Sequence, residues 1–261
     1  MAETRLDMAN LESAMGQPAD AIRTLVDGLA QLRRTLGGHH PQAINMLRAL
    51  CSLERATDTL EAASRDCHAS LQLAQELHGN NHRATVDANR QLAALYVDMG
   101  RFRDAEAIFT ETTAWMGARL DPHHPDMARA YNSMAVVAWE RGDIERAVTY
   151  QQQAVEAWRK SGNAGLIAAG VFNLAMILHD AGRDREALPL AREAAALRAR
   201  QYGASHALVG DDERLHGEIL AVLDQRVAAR AALEKAVRLT RAGFGPRHSH
   251  TRRAEISLAR L

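Results

Sequence analysis

The chain repeats itself every 42 residues. Gly16, Asp58, Gly100, Gly142, Gly182 and Asp224 mark one point in six successive repeats, at spacings of 42, 42, 42, 40 and 42. Five residues after each marker stands an alanine: Ala21, Ala63, Ala105, Ala147, Ala187 and Ala229. A fixed period of this length belongs to a structure that stacks one small unit on the next, with a core running along the array. Such an array suits a binding scaffold better than an enzyme.

Stacking the repeats on their markers gives each column a character. Leu11, Leu53, Leu95, Val137, Ile177 and Ile219 lie five residues before the marker, and Met8, Leu50, Leu92, Met134, Leu174 and His216 lie eight before it. Between them runs a small column: Ala9, Cys51, Ala93, Ala135, Ala175 and Gly217. Apolar columns three residues apart form one stripe of an amphipathic helix, and a small column lets a neighbouring backbone come close. After the marker, the alanine column is followed by Leu25, Cys67, Phe109, Gln151, Ala191 and Leu233, then by Gly28, Ser70, Thr112, Ala154, Ala194 and Ala236. These steps of four and three describe a second helix. Gly or Asp at the marker suits a tight turn, so each repeat reads as helix, short turn, helix.

The joints between repeats carry their own pattern. Gly37, Gly79, Gly203 and Gly245 are placed to end second helices in a left-handed cap. Three residues after that position stand His40, His82, His124, His206 and His248, with Pro41 and Pro125 directly following two of them. Proline there favours a helix start. The fifth repeat breaks the pattern: it is two residues short, has Ala164 for the histidine, and turns tightly through Ser161-Gly162-Asn163. Pro189, inside a second helix, is expected to bend that helix or loosen its first turn. His216 and Gly217 leave the packing of the sixth repeat less defined.

The predicted repeats span about 1–37, 40–79, 82–121, 124–161, 164–203 and 206–245, within a single domain of 1–261. Residues 248–261 read as a capping helix, with Leu258 and Ala259 keeping the register and Arg252, Arg253 and Arg260 on the outer face. At the other end residues 2–15 open directly as the first helix of a repeat, so that either the chain is cut from something longer or Leu6 and Leu11 cover the end imperfectly. In the second case self-association through this apolar end is expected.

These columns resemble the tetratricopeptide repeat. The resemblance rests on the first-helix run Leu92-Ala93-Ala94-Leu95-Tyr96, the turn Gly100 and the second-helix trio Ala105, Phe109, Thr112. The ordinary repeat has about 34 residues. Repeats of 42, joined by turns such as Leu120-Asp121-Pro122-His123-His124-Pro125, resemble the kinesin light chain type. The resemblance covers residues 3 to 261 and implies an all-α, right-handed solenoid. In this family the first helices line a concave groove where ligands bind. The lining positions implied here include Asn45, Arg48 and Arg55; Asp87 and Arg90; Arg129, Asn132 and Trp139; Phe172, Met176 and His179; and Arg214. Arginine forks hold carboxylates in two-pronged pairs, and asparagine can hydrogen-bond an extended backbone. The expected ligand is a protein or an extended, acidic peptide, held by Arg48, Arg90 and Asn132 with a side chain on Trp139 and Phe172. The bland alternative is a solvated inner face with internal pairs, Arg90 to Asp87 for example.

Other chemistry finds little footing. Lys plus Arg equals Asp plus Glu at 32 each, and no basic stripe alternates with aromatics, so neither nucleic acid nor an anionic membrane is an expected partner. No apolar run approaches a membrane span and the N-terminus lacks a signal core, which makes the cytoplasm the expected compartment. Five of the twelve histidines occupy the one repeated joint, a packing signature rather than a metal site. No nucleophile elbow, phosphate loop or kinase signature occurs. Catalytic residues, metals and cofactors are therefore not expected. Cys51 and Cys67 stand in the inward columns of one hairpin and read as buried, inert thiols. Two further readings stay open. One is a regulatory or sensor segment, such as those behind bacterial protein kinases, that responds to a peptide or small ligand. The other is an enzyme with its site in the groove, around Asp87, His179 and Asp180.

Overall fold

The computed structural model describes residues 2–261, all of whose regular structure is helical. It falls into two compact units, Met1–Ala118 and Arg119–Leu261. The first holds α1 (Ala2–Ala14), α2 (Pro18–Leu36), α3 (Pro41–Ala56), α4 (Leu60–His78), α5 (Arg83–Asp98) and α6 (Phe102–Gly117). The second holds α7 (Pro125–Glu140), α8 (Ile144–Ser161), α9 (Ala164–Asp180), α10 (Asp184–Tyr202), α11 (Ala207–Val222), α12 (Arg226–Phe244) and α13 (Ser249–Ala259). Consecutive helices pack on one another within each unit. First helices also touch their like: α3 meets α1 and α5, and α11 meets α9 and α13. Packing at both one and two steps along the chain is how a solenoid builds a continuous core.

The six markers close the hairpins by one device. Each has positive φ: 76° at Gly16, 58° at Asp58, 70° at Gly100, 77° at Gly142, 71° at Gly182 and 59° at Asp224. The residue after each donates its N–H back to the carbonyl five residues earlier, as in Arg101 to Tyr96 at 2.7 Å and Asp143 to Ala138 at 2.8 Å. The marker's own N–H returns to the carbonyl three before it, as in Gly142 to Trp139 at 2.8 Å. This is a Schellman closure, and its left-handed residue explains a column restricted to glycine and aspartate.

The joint histidines prove to be helix caps. The Nδ1 of His40, His82, His124, His206 and His248 accepts the backbone N–H of Gln42, Ala84, Asp126, Leu208 and His250, at 3.1 to 3.3 Å. Three of the rings also stack on an aromatic four residues earlier: His82 on His78, His206 on Tyr202 and His248 on Phe244, with centroids 4.3, 4.9 and 4.6 Å apart. Where the histidine is missing, Asn163 caps α9 through the N–H of Leu166 at 3.1 Å, and Gly162 ends α8 in the left-handed conformation.

The alanine column is fully buried in all six places, at 0 % exposure. In the first repeat Met8 and Leu11, apolar-stripe positions, are 49 % and 62 % exposed, whereas Leu92 and Leu95 are 4 % and 0 % exposed. Gly217 turns out to be well packed, with the Leu233 side chain seated over its Cα. His216 stays at the edge of the core, accepting from Arg192 Nε at 3.1 Å beside Glu213. Pro189 does not interrupt α10, which runs on to Tyr202. Beside it Val155, Leu174, Leu178 and Leu190 line a cleft of about 520 Å³.

The cysteines correct an expectation. Cys51 of α3 and Cys67 of α4 are joined in a disulfide, with Cα atoms 5.2 Å apart, instead of standing as separate thiols. Facing columns of one hairpin bring them within bonding reach.

Candidate functional site

In the first unit α1, α3 and α5 lie side by side and enclose a cleft of about 370 Å³. Leu6, Asn10 and Ser13 come from α1, Asn45, Arg48 and Ser52 from α3, and Gln91 from α5. Steps of three and four on each helix place these residues on one face. Arg48 is held loosely, its Nη1 4.0 Å from Asp87 Oδ2, and its Nε has no hydrogen-bond partner. Gln91 Oε1 is likewise buried without a partner. Asp87 collects further cations: Arg83 Nε at 3.0 Å and Arg90 Nη1 at 3.7 Å. Arg55 pairs with Asp98 at 2.5 Å. The internal pair of Arg90 with Asp87 thus exists, and it leaves Asn45 exposed and Arg48 at the cleft wall.

The second unit gathers a different set. Asn132 of α7 accepts through Oδ1 from Gln151 Nε2 of α8 and Asn173 Nδ2 of α9, each at 3.2 Å. Gln151 also donates to the Gly170 carbonyl at 3.0 Å. A three-helix amide cluster therefore sits where sequence reasoning placed Asn132 alone. The signal for it was Gln151, a polar residue in a column otherwise given to Leu, Cys, Phe and Ala. Asn10 and Gln91, in the first unit, carried no comparable signal.

The remaining candidates are spoken for by neighbours. Arg129 pairs closely with the buried Asp126. Phe172 is only 8 % exposed and lies under the Arg198 guanidinium, 5.1 Å from its ring centre. Trp139 and Met176 are half-buried against the same apolar core. His179 Nδ1 meets Asp184 at 2.5 Å. Arg214 is clamped between Asp211 at 3.1 Å and Glu218 at 2.6 Å.

Two buried carboxyls lie off these faces. Burial, reinforced by the nearby Asp66, pushes Glu54 of α3 up to about 7. Burial likewise raises Asp212 of α11 to about 7, against the pull of Arg198 at 3.2 Å.

Helix hairpins closed by left-handed turns, with polar side chains gathered on the first helices, define a helical-repeat scaffold for protein interaction. The tetratricopeptide repeat family matches residues 42–114, and again 127–161 and 173–208. The chain belongs to this family. Among solved structures, the TPR-like repeats assigned to a kinesin light chain of Podosopora anserina superpose with a TM-score of 0.63 at 19 % identity, over 76 % of this chain and 95 % of that one. A Rap protein complexed with competence and sporulation factor gives a TM-score of 0.69 at 13 % identity, over 98 % and 72 %. A curated relative, the clustered mitochondria protein homolog of Meyerozyma guilliermondii, is 22 % identical over 118 residues. That stretch is 45 % of this chain and spans only 9 % of the relative's length.

Proposed function

We propose that the chain is a non-catalytic interaction module whose first unit binds an extended acidic peptide across the inner face of α1, α3 and α5. The observation that carries this reading is Arg48. Its guanidinium lines the cleft, has one loose ionic contact at 4.0 Å and keeps an unused Nε donor. A peptide carboxylate would complete its fork, while Asn45, Asn10 and Gln91 offer donors and acceptors to a peptide backbone. Fluorescence anisotropy with a fluorescein-labelled glutamate-rich decapeptide, and with a lysine-rich one, tests the reading. The acidic peptide should bind, weaken with salt, and lose about tenfold in affinity in Arg48→Ala, the scale of one charge-assisted hydrogen bond. Equal binding of both peptides, or no effect of Arg48→Ala, would overturn it.

A second reading, a sensor segment, draws on the Asn132–Gln151–Asn173 cluster, whose amides could exchange partners with a ligand backbone. In that case a ligand should alter the hydrogen exchange of α7 to α9, and Asn132→Ala should abolish the change. Self-association through α1 is proposed from its exposed Met8 and Leu11, with Met15 exposed in the turn that follows. Sedimentation of Leu11→Glu against the parent, over rising concentration, checks it.

A further inference from the structure

Six repeats build the same hairpin, and only one of them carries a covalent tie. The cysteine positions are filled elsewhere by Ala9 and Leu25, Ala93 and Phe109, Ala135 and Gln151, Ala175 and Ala191, and Gly217 and Leu233. Those hairpins close without a covalent bond. The α3–α4 hairpin also has contacts that do not depend on sulfur. Ala63 is wholly buried beneath it, and the Ser70 hydroxyl donates to the Ile44 carbonyl at 3.3 Å. The disulfide is therefore an addition to a hairpin that can stand without it.

Removing the bond removes the covalent tie between α3 and α4. Cys51 and Cys67 are 0 % and 1 % exposed and packed against Leu92 and Leu95 of α5, so the tie lies inside the core that holds α3, α4 and α5 together. Arg48, Ser52 and Arg55 stand on α3 one residue or one turn from Cys51.

We propose that Cys51 and Cys67 form a reversible redox clamp: oxidised, they lock α3 to α4, and reduced, they let the hairpin loosen while it stays folded. The reductant is a small thiol. Its thiolate attacks one sulfur, the S–S bond breaks, a mixed disulfide forms, and the other cysteine leaves as a thiolate that takes a proton. A second reductant thiolate displaces the remaining cysteine, which is protonated in turn. Two electrons pass to the protein and the reductant ends as its own disulfide. Because both sulfurs are buried, reduction waits on local opening of the hairpin, and the form present follows the redox poise of the surroundings.

The test uses the full chain incubated with graded dithiothreitol, quenched with iodoacetamide and weighed intact, with hydrogen exchange read on both end states. The expected result is conversion from no label to two labels together, restored to none by reoxidation. On reduction, amide exchange in α3 and α4 should rise several-fold, while α9 and α10 stay unchanged. The Cys51→Ala/Cys67→Ala variant uses the alanine that other hairpins carry at the first of these positions. It should fold, exchange like the reduced form, and ignore dithiothreitol. Three results would overturn the proposal. These are two free thiols in the chain before any reductant, thiols released only after denaturation, or identical α3–α4 exchange in both forms.

Discussion

At the scale of the residue, two columns do most of the shaping. The marker column needs a left-handed backbone six times, and the chain supplies glycine four times and aspartate twice. A Cβ in that conformation costs about 1–2 kcal/mol for most residues, while short polar side chains tolerate it better. Gly100→Ala should therefore lower stability by about 1 kcal/mol, and Asp58→Gly should stay within about 0.5 kcal/mol of the parent. Urea denaturation of both variants decides the matter, and a neutral Gly100→Ala would refute the turn's role. The joint histidines are the second column. Each accepts the N–H of its helix's second residue through Nδ1, which a methyl group cannot do. His82→Ala should lower stability by about 1 kcal/mol, with faster hydrogen exchange in the first turn of α5. His82→Asn should recover most of that, since asparagine is an ordinary helix cap. Equal stability of the Ala and Asn variants would mean that the ring's stacking on His78, not the cap, is what matters.

At the scale of the element, the contact of α8 with α9 shows what a small residue does. A Cβ on Gly170 would lie 2.6 Å from the Trp158 ring, which is 4 % exposed and cannot swing away. Gly170→Ala is expected to cost about 1–3 kcal/mol by overpacking. Trp158→Leu clears the space, so the double variant should be more stable than the sum of the single changes implies. Thermal denaturation of the four proteins measures this, and strict additivity would dismiss the contact. Gly170 also shows where the sequence stops being legible. The period located the helices, turns and buried alanines because each of those demands recurs in every repeat. It could not expose demands met only once. The amide cluster on Gln151, the ring against Gly170 and the Cys51–Cys67 bond each depend on two or three positions that no other repeat shares. The candidate face was legible only as a set of positions. Which of its arginines are occupied depends on neighbours such as Asp87 and Glu218, whose rotamers follow from packing and not from spacing.

At the scale of the whole molecule, each compact unit holds a buried carboxyl raised well above its usual range, Glu54 in the first and Asp212 in the second. Both are pushed to about 7 by burial, from ordinary values of 4.5 and 3.8. The folded chain therefore keeps a proton that the unfolded chain releases near pH 4. The stability tied to that proton is fully present at low pH and is lost as pH rises through about 7. Glu213 works in a lower window. Burial pushes it up, but hydrogen bonds from His216 and Lys235 outweigh this and hold it below its usual range, so it is ionised throughout. Other groups titrate as the pH changes, so the informative quantity is the difference between parent and variant. Asp212→Asn mimics the protonated form and should gain on the parent by about 2 kcal/mol between pH 5 and pH 8. Glu54→Gln should gain in the same direction and by less, because its rise to about 7 starts from 4.5 and not from 3.8. Hydrogen exchange separates the two effects, with α3 and α4 reporting Glu54, and α10 and α11 reporting Asp212. If the gap between Asp212→Asn and the parent does not widen with pH, Asp212 is already ionised and held by Arg198, and the buried ion pair is intact at neutral pH.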